Sequence, residues 1–315
     1  MKRIIVALCL TLLMATGAAA GESRLISITQ IVEHPSLDAM RQGFKDRIIE
    51  LGIDAEFKEH IAQGNPATSV QIANQIKGEQ PDLVLAITTP SAQHAVQKIK
   101  DRPIVFTGVT DPVGAGIVAH LDKPGGNVTG MTDMSPMHKH LNLVQDFMPE
   151  LESLGVIYNA GEPNSVTLIN LLKGFAKKEG VTIEEATIAN SSGVYQAAKS
   201  LVGRADAIYI PLDNTAISAL ESAIKVCRQN RIPLFTGDTD SVRRGSIAAL
   251  AIDYRQMGIQ TADIAARILN EGADPAEMPV ETIKRLQLYV NPGAAESMGL
   301  EIPAEMLEKA DEVVK

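Results

Sequence analysis

One segment of this chain is written twice. Phe106-Thr-Gly-Val-Thr-Asp-Pro-Val-Gly-Ala-Gly116 and Phe235-Thr-Gly-Asp-Thr-Asp-Ser-Val-Arg-Arg-Gly245 share seven of eleven positions. Each follows an apolar run behind an acidic residue, Asp82-Leu-Val-Leu-Ala-Ile87 or Asp206-Ala-Ile-Tyr-Ile210, then a polar corner, an amphipathic stretch and an X-Pro. The spacing is far longer than the roughly 20–50 residues of solenoid repeats, so the repeating unit is a whole α/β lobe. A chain of 315 residues holds two such lobes, each large enough for its own core. Equivalent loops of the two can then stand face to face, which is the geometry of a clamp.

The first twenty residues read as an export signal. Lys2 and Arg3 precede an apolar run from Ile4 to Met14, and Ala18-Ala-Ala20 supplies a small-residue cleavage pattern before Gly21, as in a secretory signal peptide. The run is shorter than the ~20 residues of a membrane span. Cys9 lies inside it without the context of a lipoprotein cleavage site, so no lipid anchor is read and the mature protein is expected in the periplasm. The chain carries 29 basic against 38 acidic residues, and loss of Lys2 and Arg3 makes the mature surface more acidic still, which disfavours nucleic acid as a partner. Cys227 then remains as the single thiol, so no intrachain disulfide forms. Its helical register with Ile217, Leu220 and Ile224 reads as a buried core position. Tryptophan is absent and aromatic residues make up 3%; the cores are expected to be aliphatic.

From Leu25 onward strands and helices alternate. Leu25 to Ile31 reads as a strand, and Leu37, Met40, Phe44, Ile48 and Leu51 mark one face of a helix ending at Gly52. Asn65-Pro66 opens another helix, with Asn as the cap and Pro at the first helical position. Leu83–Ile87, Ile104–Phe106 and Asn127–Met131 follow as strands, and the scheme repeats with strands at 155–158, 181–186, 207–210 and 234–235. Ser246 to Ile252, a helix from Gln256 to Leu269 and a strand through Leu286, Leu288 and Val290 come after the second lobe is complete. The chain is therefore expected to cross between lobes three times. The fold class is α/β, two Rossmann-like lobes with parallel sheets joined by a three-segment hinge. Residues 21–132 with 253–286 are assigned to the N-terminal lobe, and 133–252 with 287–315 to the C-terminal lobe.

In open parallel sheets ligands bind beyond the carboxyl ends of the strands. That rule selects Glu33 and His34; Thr88, Thr89 and Ser91; Thr107 and Asp111; Asn159, Asn164 and Ser165; Asp213 and Asn214; Asp238; and Asp253. Any one of these reads equally as a helix cap, and His34 as a cap or a surface residue; the functional reading rests on their collective placement. Thr88-Thr-Pro-Ser91 and Asn164-Ser165 put polar side chains at helix starts, where free amides favour an anion such as a carboxylate. An ammonium group needs a carboxylate, for which Asp111, Asp213, Asp238 and Asp253 are candidates. Asp213 and Asp238 stand out because they take the places of Thr89 and Val109 in the repeat. Together the two needs describe a zwitterion such as an amino acid.

Catalytic motifs are missing. No nucleophile elbow, phosphate-binding Gly-x-x-x-x-Gly-Lys or dinucleotide fingerprint after the first strand is present, and the six histidines show no metal spacing. No cofactor and no metal are expected. An exported enzyme working with the cleft carboxylates is a competing reading.

Ile28-Thr-Gln-Ile-Val-Glu-His-Pro-Ser-Leu-Asp38, Tyr158-Asn-Ala-Gly-Glu-Pro-Asn-Ser165, Pro211-Leu-Asp-Asn-Thr215 and Gly245-Ser-Ile-Ala-Ala-Leu-Ala-Ile-Asp-Tyr254 resemble the substrate-binding components of ABC transporters of the tryptophan/tyrosine type, over essentially the whole mature chain. The resemblance implies a periplasmic-binding-protein type I, Venus-flytrap fold, no catalysis, and delivery of a small zwitterionic ligand, an (aromatic) amino acid, to an ABC permease in the inner membrane. The chain is expected to act as a monomer. A periplasmic sensory protein that presents its closed form to a membrane receptor would share this fold.

Overall fold

Apolar strand-length runs alternate with helical ones from residue 24, and the computed structural model, which describes residues 23–315, turns that alternation into two lobes. The signal-peptide reading lies outside the described residues. The first run comprises β1 (Arg24–Gln30), α1 (Pro35–Glu50), β2 (Ala55–Ile61), α2 (Pro66–Glu79), β3 (Leu83–Ile87), α3 (Thr89–Lys98), β4 (Ile104–Thr107) and β5 (Val128–Thr132). Asn65 caps α2 as its sequence predicts, accepting from the amides of Ala67 and Thr68 at 2.9 and 3.2 Å, with Pro66 at the first helical position.

The second run comprises α4 (Met137–Phe147), β6 (Ser153–Asn159), α5 (Pro163–Glu179), β7 (Thr182–Ile188), α6 (Val194–Leu201) and β8 (Ala207–Ile210). It continues through α7 (Asn214–Ser218), α8 (Leu220–Asn230), β9 (Leu234–Thr236), α9 (Thr239–Arg244) and β10 (Ala248–Ala251). The chain then adds α10 (Tyr254–Glu271), β11 (Glu281–Thr282), β12 (Gln287–Val290), α11 (Pro292–Ser297), α12 (Ala304–Lys309) and β13 (Glu312–Val313).

A six-stranded sheet has the order β11-β5-β4-β3-β1-β2, and every pairing in it is parallel. The four-stranded sheet β7-β6-β8-β9 is parallel as well. The third sheet differs from the expectation: β10 and β12 pair antiparallel, and β13 joins β12 in parallel. Hydrophobic patterning fixes which face of a strand is buried but not its direction, because reversing a strand preserves the alternation.

Two aliphatic cores form. One gathers Ile26, Leu85, Phe106 and Met131 with Met257 and Ala265 of α10; the other gathers Leu154, Ile208 and Phe235 with Leu288 and Val290 of β12. The chain therefore leaves the second core after β10, returns to the first through α10 and β11, and comes back with β12. Docking of α10 on α1 is made intimate by glycine. A Cβ on Gly258 would lie 2.0 Å from the Met40 carbonyl oxygen, and one on Gly43 2.4 Å from that of Arg255. Cys227 is buried in the second core, and burial pushes its thiol up to about 12.

Candidate functional site

The segments that leave β1, β3, β4, β5, β8 and β9 converge on a cavity between the lobes, because parallel strands all end on the same edge of their sheet. It is lined by His34, Ser36, Leu37, Thr88, Gly108, Thr110 and Asp133 from the first lobe's side, and by Asn164, Leu212, Asp213, Asn214, Ile217, Asp238 and Tyr254. The cavity is small beside the ~300–1,000 Å³ typical of ligand pockets. Water-sized spheres can centre in only about 30 Å³ of it, so the space is a thin slot.

Several polar side chains around this slot are buried without a partner among the described residues: His34 Nδ1, Thr88 Oγ1, Thr89 Oγ1, Ser91 Oγ and Asn164 Oδ1. Buried polar groups are almost always hydrogen-bonded, and an orphan costs about 1–3 kcal/mol. Thr88, Thr89 and Ser91 gather at the start of α3, where the first amides of a helix also lack intrahelical acceptors. Thr88 caps that helix at φ 78° and ψ 162°, and its side chain makes no cap bond. This region of backbone space is essentially reserved for glycine, and a β-branched residue there is strained.

The carboxylates of the slot differ in what already holds them. Asp213 caps α7: its Oδ2 accepts from the Asn159 amide and Ser165 Oγ, both at 2.6 Å, and its Oδ1 from the Ala216 amide at 2.7 Å. Burial first, and the neighbouring Glu162 second, push its carboxyl up to about 7 against the pull of those donors. Asp238 caps α9 through Ser241 and also accepts from Ser36 Oγ of the opposite lobe at 2.9 Å. Asp133 is different. It is buried just after β5, and among the described residues its only side-chain partner is Thr110, whose Oγ1 donates to Oδ1 at 2.9 Å. Burial pushes its carboxyl up to about 6. A buried carboxylate with an uncommitted oxygen is a receptor for a cation.

Of the residues chosen from strand ends, His34, Thr88, Asn164, Asp213, Asn214 and Asp238 line the slot, and Thr89 and Ser91 are buried beside it. Ser165 stands behind Asp213 as its donor, and Asn159 lies in an outer cleft with Pro90 and Gln93 of the other lobe. His34 neither caps α1 with its side chain nor lies on the surface. Five corrections follow. Thr107 is turned into its own lobe, its Oγ1 3.0 Å from that of Thr261. Its repeat partner Thr236 likewise faces Ser246 at 2.8 Å, and the residues just beyond them, Gly108, Thr110 and Asp238, are the ones that face each other across the slot. Asp111 closes a local turn on the Gly114 amide, and Asp253 caps α10 through the Gln256 amide, both away from the slot. Glu33 is exposed. Asp213 is the counterpart of Thr88 rather than Thr89, since both are helix N-caps. Asp133 is not among the residues that the sequence singles out, although it also follows a strand, and Leu37 reads there as the inner face of a helix; Thr110 lies within the strand-end segment from Thr107 to Asp111, and Tyr254 is a strand-end tyrosine able to line a pocket.

The arrangement can be set beside known proteins. A tyrosine-binding protein from Clostridioides difficile is 37% identical over 297 residues, spanning 92% of this chain and 86% of that protein. The crystal structure of an ABC domain in complex with L-Trp from Streptococcus pneumoniae is 30% identical, covers 93% of this chain and 100% of its own, and superposes with a TM-score of 0.89. A ligand-free, open substrate-binding protein with adhesive properties from Clostridium difficile is 37% identical, covers 93% and 99%, and gives 0.68. The less similar sequence superposes better, so the lobes are disposed here as in the liganded relative rather than as in the open one. The architecture is that of the two-lobed type I periplasmic-binding proteins. The family model for ABC transporter substrate binding proteins matches residues 25–314, and the chain belongs to that family.

Proposed function

We propose that this protein is exported to the periplasm, captures an aromatic amino acid between its lobes and delivers it to an ABC permease in the inner membrane, acting as a monomer and not as an enzyme. The observation that carries the reading is the set of orphaned polar atoms contributed by both lobes to one slot. Hydroxyls and amides at the start of α3 suit a carboxylate. Asp133, rather than Asp213 or Asp238, takes the ammonium, because the other two already hold three donors each. Leu37, Leu212, Ile217 and Tyr254 supply apolar walls for a flat side chain, and the slot's thinness suits a ring. The names of the relatives agree with this choice of ligand: one is called tyrosine-binding and another was solved with L-Trp.

Contacts from both lobes give the ligand a higher affinity for the closed state, which is the condition for ligand-driven closure. A thermal-shift screen of the twenty amino acids tests the reading. Ligand at one hundred times its Kd adds about 2.7 kcal/mol of stability, so aromatic amino acids are expected to raise the melting temperature by several degrees. A screen in which no amino acid moves it refutes the assignment. Uptake of the bound amino acid by vesicles containing the permease, dependent on added protein, tests delivery separately.

A further inference from the structure

One buried carboxylate stands behind the slot without lining it. Glu162, 5% exposed, precedes α5 and makes no cap bond to that helix; it reaches instead to the segment that leaves β8. Its Oε1 accepts from the Thr215 amide at 2.9 Å and from Thr215 Oγ1 at 2.6 Å. Its Oε2 accepts from the Asn214 amide at 3.1 Å, from Asn214 Nδ2 at 2.6 Å and from Asn164 Nδ2 at 3.2 Å. The Asn164 nitrogen is held further by the Leu212 carbonyl at 2.8 Å.

A side-chain amide has an oxygen end and a nitrogen end of nearly the same shape, and its hydrogen bonds decide which way each end faces. These donors leave no place for a proton on Glu162, and an ionised carboxylate only accepts, so it holds nitrogen ends alone. Asn164 and Asn214 both line the slot. With their nitrogens tied back into the second lobe, the oxygens are the ends left for a ligand, and Asn164 Oδ1 is buried without a partner among the described residues. Glu162 also helps to push up the Asp213 carboxyl beside it. A glutamine would fill the same space without that repulsion, but would turn an NH2 group on donors.

The two walls of the slot therefore differ in polarity. The first lobe offers the unpaired hydroxyls of Thr88, Thr89 and Ser91, which suit the carboxylate of an amino acid; the second offers amide oxygens, which repel one. The group of an amino acid that has donors and no acceptor is its ammonium, with three N–H bonds. Resting on the reading above that the slot holds an amino acid, we propose that Glu162 is a positioning residue: it turns the side-chain oxygens of Asn164 and Asn214 to the slot, where they accept from the ammonium N–H groups that Asp133 leaves free. The ligand then bridges the lobes through groups that every amino acid carries, and Glu162 acts on all of them alike, whatever the side chain. Rotamers locked by supporting hydrogen bonds are what hold such a site in register.

Calorimetric titration of L-tyrosine, L-tryptophan and L-phenylalanine, and of the 2-hydroxy acids with the same side chains, into wild type, Glu162→Gln and Glu162→Gln with Asn214→Asp tests this. Circular dichroism melts verify folding. In Glu162→Gln one asparagine amide must turn its NH2 group to the slot, so each amino acid that binds wild type should lose about tenfold in affinity. Its hydroxy acid, whose hydroxyl also accepts, should gain on it by more than about threefold. Asn214→Asp in that background gives the new NH2 group a carboxylate, bares an acceptor again and should recover more than about threefold of the loss. The inference is overturned if Glu162→Gln binds the amino acids within about threefold of wild type, or if it weakens both ligand classes equally, as a general loss of shape would. Where the hydroxy acids bind neither protein, failure of Asn214→Asp to recover affinity overturns it. If Glu162→Gln does not fold, Asn164→Leu and Asn214→Leu, which keep the size but bare no acceptor, decide: wild-type affinity in both overturns it. Each of these outcomes leaves the amino-acid reading standing, whereas binding of no amino acid to wild type overturns that reading and this inference with it.

Discussion

Replacing Asp133 with Asn should move affinity and stability in opposite directions. The carboxylate is buried, and its pKa stands at about 6 instead of 3.8. For an acid raised in this way the cost to the folded state is full above pH 6 and vanishes below 3.8, so at pH 7 it is about 3 kcal/mol. Asn keeps the shape and an acceptor for Thr110 but removes that cost. The ligand-free variant should therefore be more stable at pH 7, by as much as about 3 kcal/mol. Against the ligand the sign reverses. An ammonium 3 Å from the carboxylate gains about 5 kcal/mol at an effective dielectric near 20, less its own desolvation, and truncated buried charge pairs lose about 2–5 kcal/mol of binding. A loss near 3 kcal/mol weakens binding by about a hundredfold. Calorimetry gives the affinity and urea denaturation without ligand gives the stability. Binding within about threefold of wild type, or a lower stability at pH 7, would refute the assignment of Asp133 as the ammonium partner.

The same ion pair predicts a pH profile. Wild-type affinity should hold above pH 6 and fall by up to about tenfold per pH unit below it, because the raised carboxyl must lose its proton to pair, and the profile should flatten in Asp133→Asn; identical slopes in the two proteins would exclude Asp133 as the titrating group. Thr88→Gly relieves a backbone conformation that costs about 1–3 kcal/mol but removes a hydroxyl from the carboxylate station. The melting temperature should hold or rise while affinity drops about tenfold, and a lower melting temperature would show that Thr88 is not strained. Gly258→Ala drives a methyl into the Met40 carbonyl, which neither helix can avoid without separating. A loss of about 3 kcal/mol or more is expected, and an unchanged urea midpoint would show that α1 and α10 pack less closely than described.

The alternation of elements was legible because apolar periodicity reports on which surface is buried, and Leu37, Met40, Phe44 and Ile48 do form the inner face of α1. The strand-end rule brought His34, Thr88, Asn164, Asp213, Asn214 and Asp238 to one slot. It also gathered Asp111 and Asp253, because a carboxylate that closes a turn or caps a helix is the same residue type as one that meets a ligand. Thr107 was misread because the side chain ending a strand points to one face or the other, and the last turn of the pleat decides which. Asp133 escaped because it begins the first crossing between lobes, where polar residues read as connection. Leu37 reads as core because an apolar residue lining a slot carries the same signature as one filling a core. The direction of β12 could not be read at all, since its partner β10 is fixed by tertiary packing.

Asp133, Leu212 and Tyr254 border not only the slot but a second hollow beside it, whose other walls are Lys139, Gly237 and residues of the segments at 134–136, 251–252 and 282–286 where the chain passes between lobes. If Asp133 pairs with the guest's amine as proposed, the same residue is also a link in the strap that joins the jaws. Occupancy and closure are then separate events: a deaminated analogue can sit in the cradle without tugging the strap, and solution scattering should find its complex ajar. A membrane partner that reads only the shut form would be blind to such a passenger.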